Sequence, residues 1–252
     1  MLKNILIQVI QNPLYMTASL ISVITHRFII AYLPSYIGIK PGIYNSFIYG
    51  FLREALLLIA ASLFMAGIGS LLKKITNKGT AGPGDFIEGI SNYFSKVLKI
   101  NLLIFVLSLF GFSAIVKPNM IMGFMLPMFT FNFHSAVILL LSPFFILWYP
   151  AMFLDDFGVI ESIKKAISIG TKAYLKLVLA VFIPLIPLFI HAGYHDFLRS
   201  LNTYPTINVF SAGYYMIFSV VFILSLYALL YIFKVYHLSE KTSSSNQSEG
   251  RG

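Results

Sequence analysis

The chain has 252 residues, of which 58% are hydrophobic and only 11% are charged. A soluble domain carries about 25% charged residues, so this chain has too few to cover a water-facing surface and is predicted to be a polytopic membrane protein. The absence of cysteine excludes disulfides, thiolate metal sites and cysteine nucleophiles. The net charge of +9 indicates contact with anionic lipid headgroups rather than nucleic acid, because the basic residues flank apolar segments.

Six segments are long and apolar enough to cross a bilayer, which requires about 20 such residues. They are Leu14–Leu33, Phe47–Leu72, Val97–Val116, Ser135–Leu154, Ala173–Ala192 and Val209–Phe233. The apolar stretch Met120–Phe133 is shorter and contains Pro127, so we expect a re-entrant or interfacial loop there. These patterns predict an all-α membrane domain of six transmembrane helices over residues 1–238. A disordered polar tail is predicted over residues 239–252.

Lysine and arginine are distributed unequally between the two ends of these spans. If the N-terminus is cytoplasmic, only Lys40, Lys117 and Arg199 fall in outer loops, and the basic residues outside the spans are otherwise all on the inner side. Cytoplasmic loops of membrane proteins carry an excess of basic residues. We therefore predict a multi-pass protein of the cell membrane with both termini in the cytoplasm.

Residues 87–102 and 160–175 align without a gap at an offset of 73. The identical pairs are Ile87/Ile160, Glu88/Glu161, Ile90/Ile163, Ser95/Ser168, Lys99/Lys172 and Leu102/Leu175. Both copies are amphipathic and lead into an apolar span, so each predicts an interfacial helix on the membrane surface followed by a hairpin of two spans. With a weaker copy at Met1–Asn12, the chain is predicted to be a threefold internal repeat with units near 1–84, 85–156 and 157–238.

The predicted surface helices carry several lysines. On the cytoplasmic side, these lysines are suited to anionic headgroups or to a protein partner. The lysines predicted to make such contacts are Lys96, Lys99, Lys164, Lys165 and Lys172.

Three stretches resemble a known group of proteins: Gly67-Ile68-Gly69, residues 84–90 (Gly-Asp-Phe-Ile-Glu-Gly-Ile) and residues 154–163 (Leu-Asp-Asp-Phe-Gly-Val-Ile-Glu-Ser-Ile). Through them the chain resembles bacterial and archaeal six-span proteins that are similar to the membrane domain preceding the catalytic domain of some glycerophosphodiester phosphodiesterases. The resemblance covers residues 1–238 and implies a six-span helical fold with a poorly defined membrane role. It does not imply phosphodiesterase chemistry, because His26-Arg27 is followed by Phe28 rather than glycine.

Arg27, Arg53 and Glu54 are ionisable residues inside predicted spans, where such residues are costly and commonly functional. Arg27 and Glu54 are predicted at similar depth near the outer leaflet, where they can pair. Two interpretations remain open: an ion pair that locks the first hairpin, and a substrate or proton site.

Two further groups could carry chemistry. His191, His195 and Asp196 have the spacing of a divalent metal site, although Ala192 stands where a zinc-dependent hydrolase has its glutamate. Ordinary interfacial histidines are the alternative. The adjacent Asp155 and Asp156 are predicted to cap the following helix and to balance Lys164 and Lys165, with an acid/base pair as the alternative.

No catalytic motif and no cofactor are predicted. The sequence favours a non-enzymatic membrane scaffold, binding or accessory protein whose partners are anionic lipids or another protein. The first alternative is a small transporter or lipid-translocating protein with a polar site near Arg27 and Glu54. The second alternative is a membrane metalloenzyme that uses His191, His195 and Asp196.

Overall fold

The computed structural model describes residues 2–36, 43–107, 144, 146–183, 186 and 212–249. In this part of the chain the structure contains seven α-helices and no strand, which confirms the predicted all-α class. The helices are α1 (Leu2–Gln11), α2 (Pro13–Tyr36), α3 (Ile43–Lys78), α4 (Pro83–Leu107), α5 (Trp148–Leu154), α6 (Val159–Phe182) and α7 (Ala212–Glu249).

Two helices of the described part are long and apolar enough to cross a membrane, and these lie within α3 (Gly50–Lys78) and α7 (Ser219–Glu240). The pair Lys3–Gln11 and Pro13–His26 passes the same criterion as a broken span bent by 77°. The chain is therefore a helical membrane protein with two or three such spans among the described residues. The other predicted spans extend into residues 108–143 and 187–211, so the six-span count stays a prediction.

The bend between α1 and α2 has a local cause at Asn12 and Pro13. The Asn12 side-chain amide donates to the carbonyl of Gln8 at 2.7 Å, which satisfies an acceptor at the end of α1. Pro13 then occupies the first position of α2, where its missing N–H costs nothing. As a result α1 is a separate helix, with Ile5 and Val9 buried and Leu6, Ile7 and Ile10 exposed.

The predicted surface helices of the second and third units are not separate elements, so they and the threefold repeat stay predictions. α4 contains residues 87–102 and α6 contains residues 160–175, and each continues without a break into the apolar segment that follows. Contacts between α3 and α4 extend from the Lys74–Asp85 ion pair (3.2 Å) to the Asn101–Ser62 hydrogen bond (2.8 Å). α4 therefore runs antiparallel along α3, whereas a helix lying flat on the membrane would meet α3 at one point.

The two aligned copies nevertheless share one pattern of burial. The inward-facing positions correspond as Gly89/Ser162, Tyr93/Ala166, Val97/Gly170 and Ile100/Ala173. The identical pairs lie mostly on the outward face: Ile87 and Ile160 are 67% and 69% exposed, and Lys99 and Lys172 are both exposed. The two copies thus differ where they pack against different helices and agree where they face outward.

Glycines on α3 allow aromatic rings from other helices to reach its backbone. A Cβ atom on Gly67 would lie 2.3 Å from the Phe86 ring, and one on Gly69 would lie 2.1 Å from the Phe153 ring. Side chains larger than hydrogen therefore do not fit at either position in this packing. These contacts fix how closely α4 and α5 approach α3.

The last helix extends beyond the predicted start of the polar tail. α7 continues to Glu249, and Glu240 forms an ion pair with Lys165 of α6 at 3.3 Å. Ordered packing therefore continues beyond residue 238, where the sequence pattern predicts its end.

Candidate functional site

The candidate site lies at the end of the bundle where α3 and α5 end and α4 and α6 begin, which we call the lysine-rich end (Lys73, Lys74, Lys96 and Lys165). The turn from α5 to α6 contains Asp155 and Asp156. Asp156 has a φ of 57°, in the left-handed region that is uncommon outside glycine and is tolerated best by Asn and Asp. This turn directs the two carboxylates to different neighbours.

Asp156 joins the turn to α3 and α4. Its carboxylate accepts hydrogen bonds from Lys73 Nζ at 2.9 Å and from the Tyr93 hydroxyl. Lys73 also donates to the Tyr93 hydroxyl at 2.8 Å, and Lys96 donates to the Asp156 carbonyl at 3.0 Å. Partial burial opposes ionisation, but the hydrogen bonds from Lys73 and Tyr93 hold the pKa of Asp156 below its ordinary value.

Both lysines also face the Tyr93 ring. Lys73 Nζ and Lys96 Nζ lie 5.5 and 5.6 Å from its centroid, within the range of cation–π attraction. The Tyr93 ring packs in turn against Phe153 of α5, with 4.7 Å between centroids. Tyr93 therefore connects the charged cluster to the apolar core.

Asp155 joins the same turn to α7. The Tyr236 hydroxyl donates to Asp155 Oδ2 at 2.5 Å. Glu240 follows Tyr236 by one helical turn and contacts both Asp155 and Lys165. Burial, reinforced by the Glu240 carboxylate, raises the pKa of Asp155 to about 6, against the opposing effects of Tyr236 and Lys165.

The prediction for this aspartate pair is wrong for the partner of Asp156 and for the helix cap, whereas Lys165 does act on Asp155 by opposing the rise in pKa that burial causes. Lys73 rather than Lys164 balances Asp156, and the α6 N-terminus is closed by Glu161, which accepts the Gly158 N–H at 3.2 Å. The contacts of Asp156 with Lys73 and of Asp155 with Tyr236 span 83 and 81 residues. No local spacing signals contacts of that range.

The three stretches that carry the family resemblance meet at this end of the bundle. Gly67 and Gly69 receive Phe86 and Phe153, and Gly89 packs against Ser70 of α3. The aspartates that follow Phe153 hold α3, α4 and α7 together. The stretches are thus accounted for as packing and ion-pair positions.

A second cluster ties the N-terminus to the same end. The Asn12 amide donates to the carbonyl of Gly79 at 3.1 Å, and its oxygen accepts the Ala81 N–H at 3.1 Å. Gly79 has a φ of +85°, which favours glycine at that position. Lys234 of α7 donates to the Gln8 side chain, and the Tyr15 hydroxyl donates to the Leu226 carbonyl at 3.0 Å. The first helices therefore contact both the α3–α4 connection and the last helix.

A buried polar network that no sequence pattern predicts lies deeper in the bundle. The Asn101 amide donates to Ser62 Oγ at 2.8 Å, and its oxygen accepts the Tyr149 hydroxyl at 2.7 Å. Ser62 donates onward to the Leu58 carbonyl at 2.7 Å. These side chains are mutually satisfied, which is the condition for burying them in an apolar surrounding.

The predicted ionisable residues in the spans are partly accounted for. Arg53 and Glu54 form an ion pair with 2.8 Å between nitrogen and oxygen, and both side chains are more than one-third exposed. Arg27 is located on α2, but its side chain lies outside the described residues. Pairing of Arg27 with Glu54 therefore stays a prediction.

The five lysines predicted to contact lipid or a partner fall into two sets. Lys96 and Lys165 are engaged within the bundle, by the Asp156 carbonyl and by Glu240. Lys99, Lys164 and Lys172 are exposed on the outward faces of α4 and α6.

His191, His195 and Asp196 lie outside the described residues, so the predicted metal site stays a prediction that metal analysis of the purified protein would test. Within residues 2–36, 43–107, 146–183 and 212–249, no group of three or more His, Asp or Glu side chains is placed to hold a metal ion. The resemblance stated above also stays a prediction. The chain matches no protein-family model, and no similar curated protein or solved structure was found.

Proposed function

We propose that the protein is a non-enzymatic scaffold embedded in the membrane, which binds anionic lipids through the outward faces of α4 and α6. The observation that carries this proposal is the placement of the repeated residues. The identical pairs Lys99/Lys172 and Leu102/Leu175 both face outward, whereas the inward faces of the two helices differ. Packing inside the bundle does not require these outward residues to be identical. Their identity is explained if both helices face the same surroundings, and this supports lipid binding by both faces.

The lysine-rich end supports a scaffold rather than a reaction centre. Lys73 is balanced by Asp156, Lys74 by Asp85 and Glu88, and Lys165 by Glu240. Charges that are already paired with each other are poor candidates for substrate groups, because each pair would have to break first. The same contacts hold α3, α4, α6 and α7 in one arrangement.

Removal of the two repeated lysines tests this proposal. In Lys99→Ala/Lys172→Ala we expect the affinity of the embedded protein for anionic phospholipid to fall about 30-fold, since each lysine near the surface contributes about 1 kcal/mol. Binding of the purified protein in nanodiscs to labelled anionic lipid, read by native mass spectrometry, measures the change. Lys3→Ala/Lys78→Ala removes the same charge from other exposed positions and serves as the matched control.

Equal losses in the two double variants would contradict specific binding and would show a response to net charge alone. Unchanged lipid binding together with loss of a bound protein would replace lipid by a protein partner on the same faces.

A transport function is the second candidate, favoured by the Arg53–Glu54 pair. The pair lies within an apolar helix, and the buried Arg53 Nε has no hydrogen-bond acceptor among the described residues. Charged residues within membrane-spanning helices commonly belong to ion or proton pathways. Proton flux into proteoliposomes under an imposed potential tests this candidate: transport predicts loss of flux in Glu54→Gln, and absence of flux in the unsubstituted protein excludes proton transport.

A further inference from the structure

Asp155, Glu240 and Lys165 form a charged cluster between the α5–α6 turn, α6 and α7. Asp155 is half-buried and accepts the Tyr236 hydroxyl at 2.5 Å. Glu240 is one turn beyond Tyr236 on the same side of α7, and its carboxylate is 3.3 Å from Lys165 Nζ. The turn and α7 therefore each bring one carboxyl to the same place, and Lys165 pairs with the one on Glu240.

The charges of this cluster do not balance when both carboxyls are ionised. Lys165 supplies one positive charge against two negative charges, and Lys73 is engaged by the neighbouring Asp156. Two carboxylates in contact repel each other, and one proton held between them replaces this repulsion with a short O–H···O hydrogen bond. The Tyr236 hydroxyl donates to Asp155 and favours its ionised form, but burial and the Glu240 carboxylate outweigh this effect.

We propose that Asp155 and Glu240 form a binding site for a single proton, shared between the two carboxyls, which joins α7 to the α5–α6 turn. The groups placed against the pair are Tyr236 from α7, Lys165 from α6 and, through Asp156, Lys73 from α3. With the proton bound, the cluster is neutral and α7 is held by two hydrogen bonds. Without it, the repulsion between Asp155 and Glu240 is opposed only by the Tyr236 hydrogen bond and by the positive charge of Lys165.

The chemistry of Asp155 agrees with this assignment. Burial first, and the Glu240 carboxylate in addition, raise the pKa of Asp155 to about 6. The site therefore changes occupancy near neutral pH, within the range that a membrane protein meets. The proposal is independent of lipid binding by Lys99 and Lys172, because it involves neither residue.

Infrared difference spectroscopy of the protein in nanodiscs tests the site directly. We expect a carbonyl band of a protonated carboxyl that disappears between about pH 5 and 7, with the loss of one proton. The single tryptophan, Trp148, is buried in α5, so its fluorescence should follow the same transition if the turn moves.

Substitutions at the three charges should shift the transition in different directions. Asp155→Asn should abolish it. Glu240→Gln should lower its midpoint by about one pH unit or more, because a like charge is removed, and Lys165→Met should raise it by a similar amount. A purely structural role would not produce shifts of opposite sign.

His237 follows Tyr236 directly on α7 and is the matched control. His237→Gln should leave the carboxyl band unchanged. The proposal is overturned if no carboxyl band titrates, if the band persists in Asp155→Asn, or if Glu240→Gln and Lys165→Met leave its midpoint in place. The Glu240 side chain is one-third exposed, so Glu240→Gln should fold and keeps the test decisive if Asp155→Asn does not fold.

Discussion

Gly69 shows how one residue sets the distance between two helices. The Phe153 ring occupies the space where a Cβ would stand, so Gly69→Ala forces the ring or α5 to move. We expect a loss of about 1–3 kcal/mol in the free energy of unfolding, the usual cost of overpacking. The midpoint of thermal unfolding in detergent measures it.

Gly50→Ala is the control, because no atom of the described residues lies within 4 Å of a Cβ at that position. It should be neutral or slightly stabilising, since alanine favours the helix. An equal loss in both variants would contradict the packing explanation.

The residues of the lysine-rich end show what the sequence could reveal. The family resemblance drew on Gly67 and Gly69 and the paired carboxylates drew attention to Asp155-Asp156, and the structure places all of them at one end of the bundle. Their partners could not be inferred, because Tyr93 and Tyr236 look like ordinary aromatic residues of apolar segments. Asn101 was missed for the opposite reason: one amide in a long apolar run carries no spacing signal until Ser62 and Tyr149 are seen beside it.

At the scale of elements, proline and its neighbour decide whether an amphipathic segment becomes a separate helix. Asn12-Pro13 breaks the chain between α1 and α2, whereas no proline interrupts 84–107 or 159–182. Periodicity does not distinguish a helix on a surface from the first turns of a longer one. That distinction required the contacts of α4 along α3.

Asn12 holds the α3–α4 connection, and Asn12→Ala should release it. The Ala81 N–H would lose its acceptor and Gly79 its donor, so we expect amide hydrogen exchange of residues 79–82 to accelerate. Exchange followed by mass spectrometry measures the effect. Asn77 is exposed at the same end of α3, so Asn77→Ala should leave exchange of residues 79–82 unchanged. A similar acceleration in Asn77→Ala would argue against a specific role of the Asn12 hydrogen bonds.

For the whole molecule, two aspartates give stability opposite dependences on pH. The Gly82 N–H first, and Lys74 in addition, lower the pKa of Asp85, so its contribution is present above its unfolded pKa and is lost as the pH falls. The pKa of Asp155 is raised, so its contribution is present at low pH and is lost as the pH rises through about 6.

Urea unfolding between pH 3 and 8 should therefore show a smaller loss of stability at acid pH in Asp85→Asn than in the unsubstituted protein. Asp155→Asn should instead remove part of the decline in the free energy of unfolding above pH 5. If Asp85→Asn instead changed the loss of stability at higher pH, and Asp155→Asn the loss at acid pH, the pKa directions of the two aspartates would be contradicted.

The predicted orientation can be tested without removing any native thiol, because the chain has no cysteine. Ser91→Cys and Ser168→Cys lie on exposed positions of α4 and α6, and Asn202→Cys lies in a predicted outer loop. A membrane-impermeant maleimide should label only Asn202→Cys in intact cells. Labelling of the other two before permeabilisation would reverse the predicted topology.

The contacts between the first helices and α7 impose an order on biogenesis. Gln8 and Lys234 are separated by 226 residues, and the Tyr15 hydroxyl can bond the Leu226 carbonyl only after α7 has been synthesised. At a synthesis rate of about 5–20 residues per second, the N-terminal pair spends roughly 10–45 s in the membrane before its partner emerges. During that interval the Tyr15 hydroxyl and the Gln8 side chain lack these partners, so we expect a chain truncated before α7 to hold its first helices less firmly.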